Sequence, residues 1–333
     1  MIVRLGGLAL AMVLLSGCPV PPIKSGATVT AEKLPEKVPE LIKYADDIYA
    51  RPDATSADME NALLALDKAV KADPKSFEAQ WKAARAAVWL ASDFYDNKTK
   101  RAHFSGRGIE YAKAAIELEP KRVEGHYYSG ENLGLSALGK TIGAKFMVPS
   151  VRDAEKKAMA LDACFDHGGP PRVLGSLYAQ APPWPASVGD PDKGVELLEQ
   201  ALKCGPDWPL NHLLLGDALV AAERYDEAEK QYQQTLTVDA HAAVAANNLA
   251  FIYLSTDRNL DQALQLAQTA QQQLPNEPHV SDTVGTAYVK KNMLSPAIQQ
   301  FEAAVKNAPD DPVIRTHLGL AYVKSGDWGK AKQ

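Results

Sequence analysis

The chain has 333 residues, 36 Lys and Arg against 41 Asp and Glu, a formal net charge of −5 and a pI near 5.9. That length is ample for a sizeable core. The mild acidity argues against nucleic acid as a partner, because such proteins carry a basic footprint.

At the N-terminus Arg4 forms a short positive region, and Leu5 to Leu15 form an apolar run too short to span a bilayer. Leu15-Ser16-Gly17-Cys18 follows and resembles the lipobox of bacterial lipoprotein signal peptides. The competing reading is an ordinary secretory signal whose cleavage site contains a cysteine. The resemblance implies a signal peptide over 1–17 and a mature chain that begins at Cys18. Acyl chains on Cys18 would then serve as the lipid anchor to the membrane. An aspartate after that cysteine commonly marks inner-membrane retention in this family. Here the residue is Pro19, so a periplasmic, outer-membrane location is expected. Residues 18–39, with Pro19, Pro21, Pro22, Pro35 and Pro39, read as an extended tether.

Residues 41–206 follow a helical-pair pattern with stretched units. Ala62, Leu66, Ala69 and Pro74 mark the second helix of a first pair, whose first helix spans 39–50. A long helix from Phe77 to about Tyr95 opens the second pair, and a basic, polar loop is expected from Asn97 to Ser105. Its partner helix runs from about Arg107, with Ala112, Ala115 and Pro120 at the expected spacing. A third pair spans 123–162 with an apolar interruption from Thr141 to Pro149. A fourth spans 171–206 and is interrupted by Ala181-Pro182-Pro183-Trp184-Pro185. Trp184 is either an exposed interaction anchor or folded back over the neighbouring hairpin, and the second is expected. Asp190-Pro191-Asp192 reads as a helix start rather than a metal site. Cys164 and Cys204 sit near the ends of adjacent repeats. Stacked units usually lie too far apart for disulfide geometry, so two small buried side chains are expected in place of a bridge.

The clearest pattern lies further on. Within 278–311, Val284, Gly285, Tyr288, Ala297, Phe301, Ala304 and Pro309 occupy positions 7, 8, 11, 20, 24, 27 and 32 of a 34-residue unit. Small residues at positions 8, 20 and 27 let two helices approach, large ones fill the space between them, and proline stops the second helix. Leu215-Gly216, Leu219, Ala228, Tyr232 and Ala240 repeat the pattern from Pro209. Leu249-Ala250, Tyr253, Ala263, Ala270 and Pro275 repeat it with one extra residue, and Leu318-Gly319, Tyr322, Gly326 and Ala331 repeat its first half from Pro312. This is the signature of the tetratricopeptide repeat (TPR). No period-2 strand pattern competes. The expected fold is all-α, a TPR-like α-solenoid forming a right-handed superhelix of antiparallel helix pairs, irregular in its N-terminal half. Domains are expected at 40–222 (irregular) and 223–333 (regular, last repeat incomplete). The unfinished hairpin at Gln333 leads us to expect a longer native chain, since solenoids normally end in a polar cap.

A closer resemblance runs through the irregular half. Tyr127-Tyr128, Asn132-Leu133-Gly134 and Val148-Pro149 lead into Ala160-Leu161-Asp162 and Asp166-His167-Gly168-Gly169-Pro170. Arg172 to Tyr178, Ala181-Pro182, Trp184-Pro185, Gly189-Asp190 and Pro209-Leu210-Asn211-His212 continue it. The order resembles the TatT-like family, the T component of tripartite ATP-independent periplasmic (TRAP) transporters. The resemblance covers 41–222 and implies a lipid-anchored periplasmic protein that associates with the transporter's solute-binding protein. Members can be oligomeric, so a homo-oligomer is open. The regular repeats from about Tyr225 onward are not required by that family and suit equally an outer-membrane scaffold for envelope assembly, secretion or polysaccharide export.

No catalytic constellation has usable spacing, so no enzyme, cofactor or metal site is expected. The seven histidines, His103, His126, His167, His212, His241, His279 and His317, form no i, i+4 pair. His126 and His212 share position 4 of their units and read as packing or rim residues. What remains is a surface. TPR concave faces are lined by helix-A positions 2, 5, 9, 12 and 13. These give Glu124, Tyr127, Glu131, Arg172, Ser176, Leu213, Asp217, Asn247, Phe251, His279, Asp282 and Thr286. The expected partner is a periplasmic or envelope protein presenting a peptide or helix to that groove.

Overall fold

The computed structural model describes residues 34–95, 97–138 and 143–332. The expected signal peptide, lipobox cysteine Cys18 and most of the tether lie outside these residues. Among the described residues there are fifteen α-helices, and the only β-type pairing is one isolated bridge between Pro183 and Gly189. The chain divides into two compact units at Ala222/Glu223.

The N-terminal unit runs α1 (Val38–Tyr49), α2 (Ser56–Ala72), α3 (Phe77–Asp93), α4 (Lys98–Leu118), α5 (Val123–Ala137), α6 (Gly143–Leu161), α7 (Phe165–Gln180), α8 (Pro191–Cys204) and α9 (Pro209–Ala221). Consecutive helices pack as hairpins. The first helix of each pair also touches the first helix of the next, through α1, α3, α5, α7 and α9 in turn. The boundaries follow from local chemistry. Thr55 and Asp58 form a reciprocal capping box, and Ser76, Asn97 and Asp190 each accept a backbone N–H three residues on. Proline opens α8 and α9, where a missing N–H costs nothing.

Three expectations are corrected here. The polar stretch 97–105 is the start of α4 and not a loop. Arg101, Phe104, Ser105 and Gly108 form its buried stripe, and the Arg101 guanidinium donates to the carbonyls of Tyr95 and Leu138. A buried arginine disguised the amphipathic period. From Gly143 on, the interruption expected to end at Pro149 is also helical, since α6 starts there and carries Pro149 inside it. Against that one lost backbone hydrogen bond the helix buries Val151 and Ala158. Finally, Cys164 and Cys204 form a disulfide with Cα atoms 5.1 Å apart. Cys164 immediately precedes α7 and Cys204 ends α8, so the bond staples the open end of one hairpin, where chain entry and exit are neighbours.

The C-terminal unit runs α10 (Tyr225–Val238), α11 (Ala243–Ser255), α12 (Leu260–Gln273), α13 (Pro278–Lys290), α14 (Leu294–Asn307) and α15 (Pro312–Ser325), followed by a 3-10 turn at Lys330–Lys332. Its repeat register is visible atom by atom. Ala263, Ala270, Ala297 and Ala304 are fully buried, and a Cβ on Gly285 would lie 2.6 Å from the Phe301 ring. Position 15 is periodic as well. Glu223, Asp257, Asn292 and Gly326 all adopt left-handed φ, at 60°, 51°, 59° and 85°. At three of these turns the following N–H bonds back to the position-11 tyrosine carbonyl: Arg258 to Tyr253, Met293 to Tyr288 and Asp327 to Tyr322. That is the 6→1 closure of a Schellman C-cap.

Candidate functional site

Two places hold the residues that the sequence singles out. The first is the interior of the N-terminal unit. Asp166, His167 and Gly168 take left-handed φ of 50°, 56° and 86°, which breaks the chain between α6 and the regular part of α7. This turn aims the Asp166 carboxylate inward. Arg172, one turn into the regular helix and 1% exposed, donates to Asp166 Oδ2 at 2.9 Å and to the Asp166 carbonyl at 3.1 Å. It also donates to the Tyr127 hydroxyl at 3.2 Å and to Asn211 Oδ1 at 3.3 Å. Tyr127 in turn donates to Asp166 Oδ2 at 2.7 Å. Asn211 Nδ2 reaches the carbonyls of His167, Ala201 and Gly205 at 2.9–3.1 Å, so one amide ties α7, α8 and α9 together. Glu131 lies one turn beyond Tyr127 and Glu155 comes from α6, and both are at most 1% exposed.

Glycines make room for this polar interior. A Cβ at Gly169 would lie 2.7 Å from the Tyr127 ring, at Gly130 2.0 Å from Glu155 Oε1, and at Gly108 2.0 Å from Asn132 Oδ1. Burial pushes the Tyr127 and Tyr128 hydroxyls well above their ordinary range and raises both glutamates, Glu131 to about 8. The residues on which the TatT-like resemblance rests, among them Tyr127, Asp166, Gly169, Arg172 and Asn211, therefore converge on one buried network.

This corrects the expected surface. Tyr127, Glu131, Arg172 and Ser176, and with them Glu124, are buried rather than displayed on an open face. Tyr127 and Arg172 face inward because each bonds to groups on neighbouring segments, Tyr127 to Asp166 and Arg172 to Tyr127 and Asn211. Glu155 was not singled out by sequence at all. Its only signal was a carboxylate inside the apolar spacing of Val151 and Ala158.

The second place is the helix-A face of the C-terminal unit. Asn247 and Phe251 on α11, His279, Asp282 and Thr286 on α13, and His317 on α15 are half-buried, with Asn247 and Asp282 at position 5 and Phe251 and Thr286 at position 9 of their repeats. The His317 Nδ1 lies 2.8 and 2.9 Å from the two Asp282 oxygens, which links α13 to α15. That hydrogen bond raises the His317 pKa against the opposing effect of burial. In the N-terminal unit Leu213 and Asp217 on α9 are half-buried too. His126 and His212 play the rim role expected of position 4, each with Nε2 close to the carbonyl of the proline six residues back, Pro120 at 3.0 Å and Pro206 at 2.8 Å. Trp184 is corrected as well. It does not fold back but is 85% exposed, on the loop between α7 and α8. Among the described residues no group of three or more His, Cys, Asp or Glu could hold a metal ion, and no helix is long and apolar enough to cross a membrane.

Residues 213–278 match the tetratricopeptide repeat family model. The fold is the TPR-like α-solenoid. A chain of the APC/C hetero-tetramer Cut9-Hcn1 superposes with a TM-score of 0.62 at 14% identity, over 85% of this chain and 52% of that one. This chain thus spans about half the length of that relative. YrrB, described as a TPR protein with an unusual peptide-binding site, gives a TM-score of 0.44 at 17% identity, over 62% of this chain and 96% of YrrB. MamA from Desulfovibrio magneticus RS-1 gives 0.40 at 20%, over 43% of this chain and 81% of MamA. At 14% identity the likeness to the Cut9-Hcn1 chain shows the fold alone. No curated protein sequence matches the chain. TPR arrays are generally non-catalytic scaffolds for protein–protein interaction, because stacked helix pairs offer extended surfaces rather than a reaction centre.

Proposed function

We propose that the chain is a lipid-anchored periplasmic scaffold that binds protein partners and serves the solute-binding protein of a TRAP-type transporter. The observation that carries the binding role is the helix-A face of the C-terminal unit. There Asn247, Phe251, Asp282 and Thr286 recur at equivalent positions without being sealed into the core. An amide, an aromatic ring and a carboxylate at that spacing suit an extended peptide or one face of a partner helix. The lipobox-like run ending in Cys18 supports anchoring, and the Cys164–Cys204 disulfide fits an oxidising compartment such as the periplasm. The TatT-like order of residues over 41–222 supports the transporter role. A second reading, an outer-membrane scaffold for envelope assembly, secretion or polysaccharide export, is favoured by the regular repeats after residue 222.

The anchor is tested by palmitate labelling and fractionation of cells. Cys18→Ala is expected to lose both label and membrane association, and a variant that stays in the membrane fraction removes the anchor from the proposal. The partner is tested with a photo-crosslinking amino acid at Phe251 in intact cells. Recovery of a solute-binding protein supports the transporter reading, and an export or assembly component supports the second. A self-crosslink would reveal a homo-oligomer, and no adduct at all would remove this face from the proposal.

A further inference from the structure

The interior of the N-terminal unit holds more negative than positive charge. Asp166, Glu131 and Glu155 surround the single guanidinium of Arg172. The terminal nitrogens of that guanidinium are already bonded to Asp166, the Tyr127 hydroxyl and Asn211. Glu131 Oε2 and both oxygens of Glu155 are inaccessible and have no hydrogen-bond partner, and neither has Ser176 Oγ on α7. The cations on neighbouring helices are committed elsewhere. Lys82 and Arg85 on α3 pair with Asp46, Arg101 on α4 donates to carbonyls, and Arg107 on α4 pairs with Asp67. The remaining titratable groups beside the pair, Tyr127 and Tyr128 on α5, stay neutral because burial raises them.

Asp166, whose side chain is 25% exposed, already balances the Arg172 guanidinium, so the two buried glutamates, if both ionised, would add an uncompensated charge of −2 in an interior closed to water. A buried carboxyl without a counter-ion takes up a proton at far lower cost than it stays ionised. The room for this arrangement is built in, since any side chain at position 130 would occupy the space of Glu155 Oε1. Buried acceptors that lack donors are rare in folded proteins, and a carboxyl O–H is a donor.

We propose that Glu131 and Glu155 form a proton-binding centre in which at least one carboxyl is protonated at neutral pH, and that its proton, when released to solvent at higher pH, leaves two like charges that loosen the packing of α5, α6 and α7. Burial first, then the charge of Asp166, pushes Glu131 up to about 8, and burial together with Glu131 moves Glu155 the same way. The native chain therefore holds more protons than the unfolded chain from the ordinary carboxyl value up to about 8. Its folding constant falls as the pH rises through that window, by about tenfold per pH unit for each proton so held.

The test uses the full chain, with denaturant melts from pH 5 to 9 on the wild type and on Glu131→Gln/Glu155→Gln. The wild type is expected to lose stability steadily from about pH 6 to 8. The double variant, which carries permanent neutral amides, is expected to lose less over the same interval and to equal or exceed the wild type at pH 9. His317 contributes the same slope to both proteins, so the difference isolates the pair. Carboxyl carbon NMR on the wild type covers the case in which the variant does not fold, and at least one glutamate signal titrating well above the ordinary carboxyl range is expected. Equal slopes, or every glutamate titrating in the ordinary carboxyl range, would overturn the proposal. So would stabilisation of the wild type by calcium or magnesium chloride at pH 8 that is reversed by EDTA and absent in the double variant, since the centre would then be a cation site.

Discussion

Arg172 is the residue around which the interior of the N-terminal unit is assembled, and its removal is the sharpest single change available. Arg172→Ala takes a donor from the buried Tyr127 hydroxyl and Asn211 Oδ1 and the counter-ion from the Asp166 carboxylate, which is 25% exposed. Breaking a buried pair by removing one partner costs about 3–5 kcal/mol. A denaturant melt is expected to show a loss of that size, and a loss under 1 kcal/mol would mean the network is not held by its charge. The His317–Asp282 pair makes a smaller, pH-dependent contribution. Because the folded His317 pKa is raised by its bond to Asp282, the stabilisation is fully present below the ordinary histidine value and fades as the pH rises through the folded one. His317→Gln should therefore weaken the C-terminal unit at pH 5.5 and leave it little changed at pH 9. Melts at the two pH values check this, and an equal loss at both would show packing against Phe301 to be the real role. At this scale the sequence was a poor guide. It placed Tyr127 and Arg172 on the correct helix position but could not say that the neighbouring repeat closes over them.

At the scale of the helix pair, the same repeat position gives opposite outcomes in adjacent units. A valine at Gly285 must push into the Phe301 ring, and overpacking of that kind costs about 1–3 kcal/mol. At Gly319 nothing lies within 4 Å of a Cβ, so Gly319→Ala is expected to stabilise α15 by up to about 1 kcal/mol through helix propensity alone. Thermal melts of Gly285→Val and Gly319→Ala should move in opposite directions, and movement in the same direction would refute the register. The close contact joins positions 8 and 24 rather than 8 and 20, because Ala297 is small and the ring of Phe301 crosses the gap. The Cys164–Cys204 bond acts on an element as well. It closes a loop with a sequence separation of 40, for which chain entropy assigns about 4 kcal/mol. Reduction should lower the denaturant midpoint of the N-terminal unit, and an unchanged midpoint would mean that the hairpin is held by packing alone. The bond was missed because repeat spacing was applied between units, whereas the two cysteines belong to the start and end of one hairpin.

At the scale of the whole molecule, solenoid energetics are local, so damage to one unit should not spread to the other. Hydrogen exchange on Gly285→Val is expected to show lost protection within 223–332 and unchanged protection within 34–222, and uniform loss would show the chain to be one cooperative body. The sequence by itself determined the all-α class, the pairing of consecutive helices and most boundaries. Those follow from near-neighbour chemistry, namely alanine and glycine spacing, capping side chains such as Thr55 and Asp190, and prolines at helix starts. It also held, unread, the turn at position 15, where Gly326 and Asn292 mark a left-handed residue that Glu223 and Asp257 adopt without the usual composition. Only the tertiary structure decided which polar residues are buried. Whether Glu131 lines a groove or a sealed interior depends on Glu155, Asp166 and Arg172, which arrive from other helices, and helical periodicity gives a side chain its direction but not the depth of what covers it.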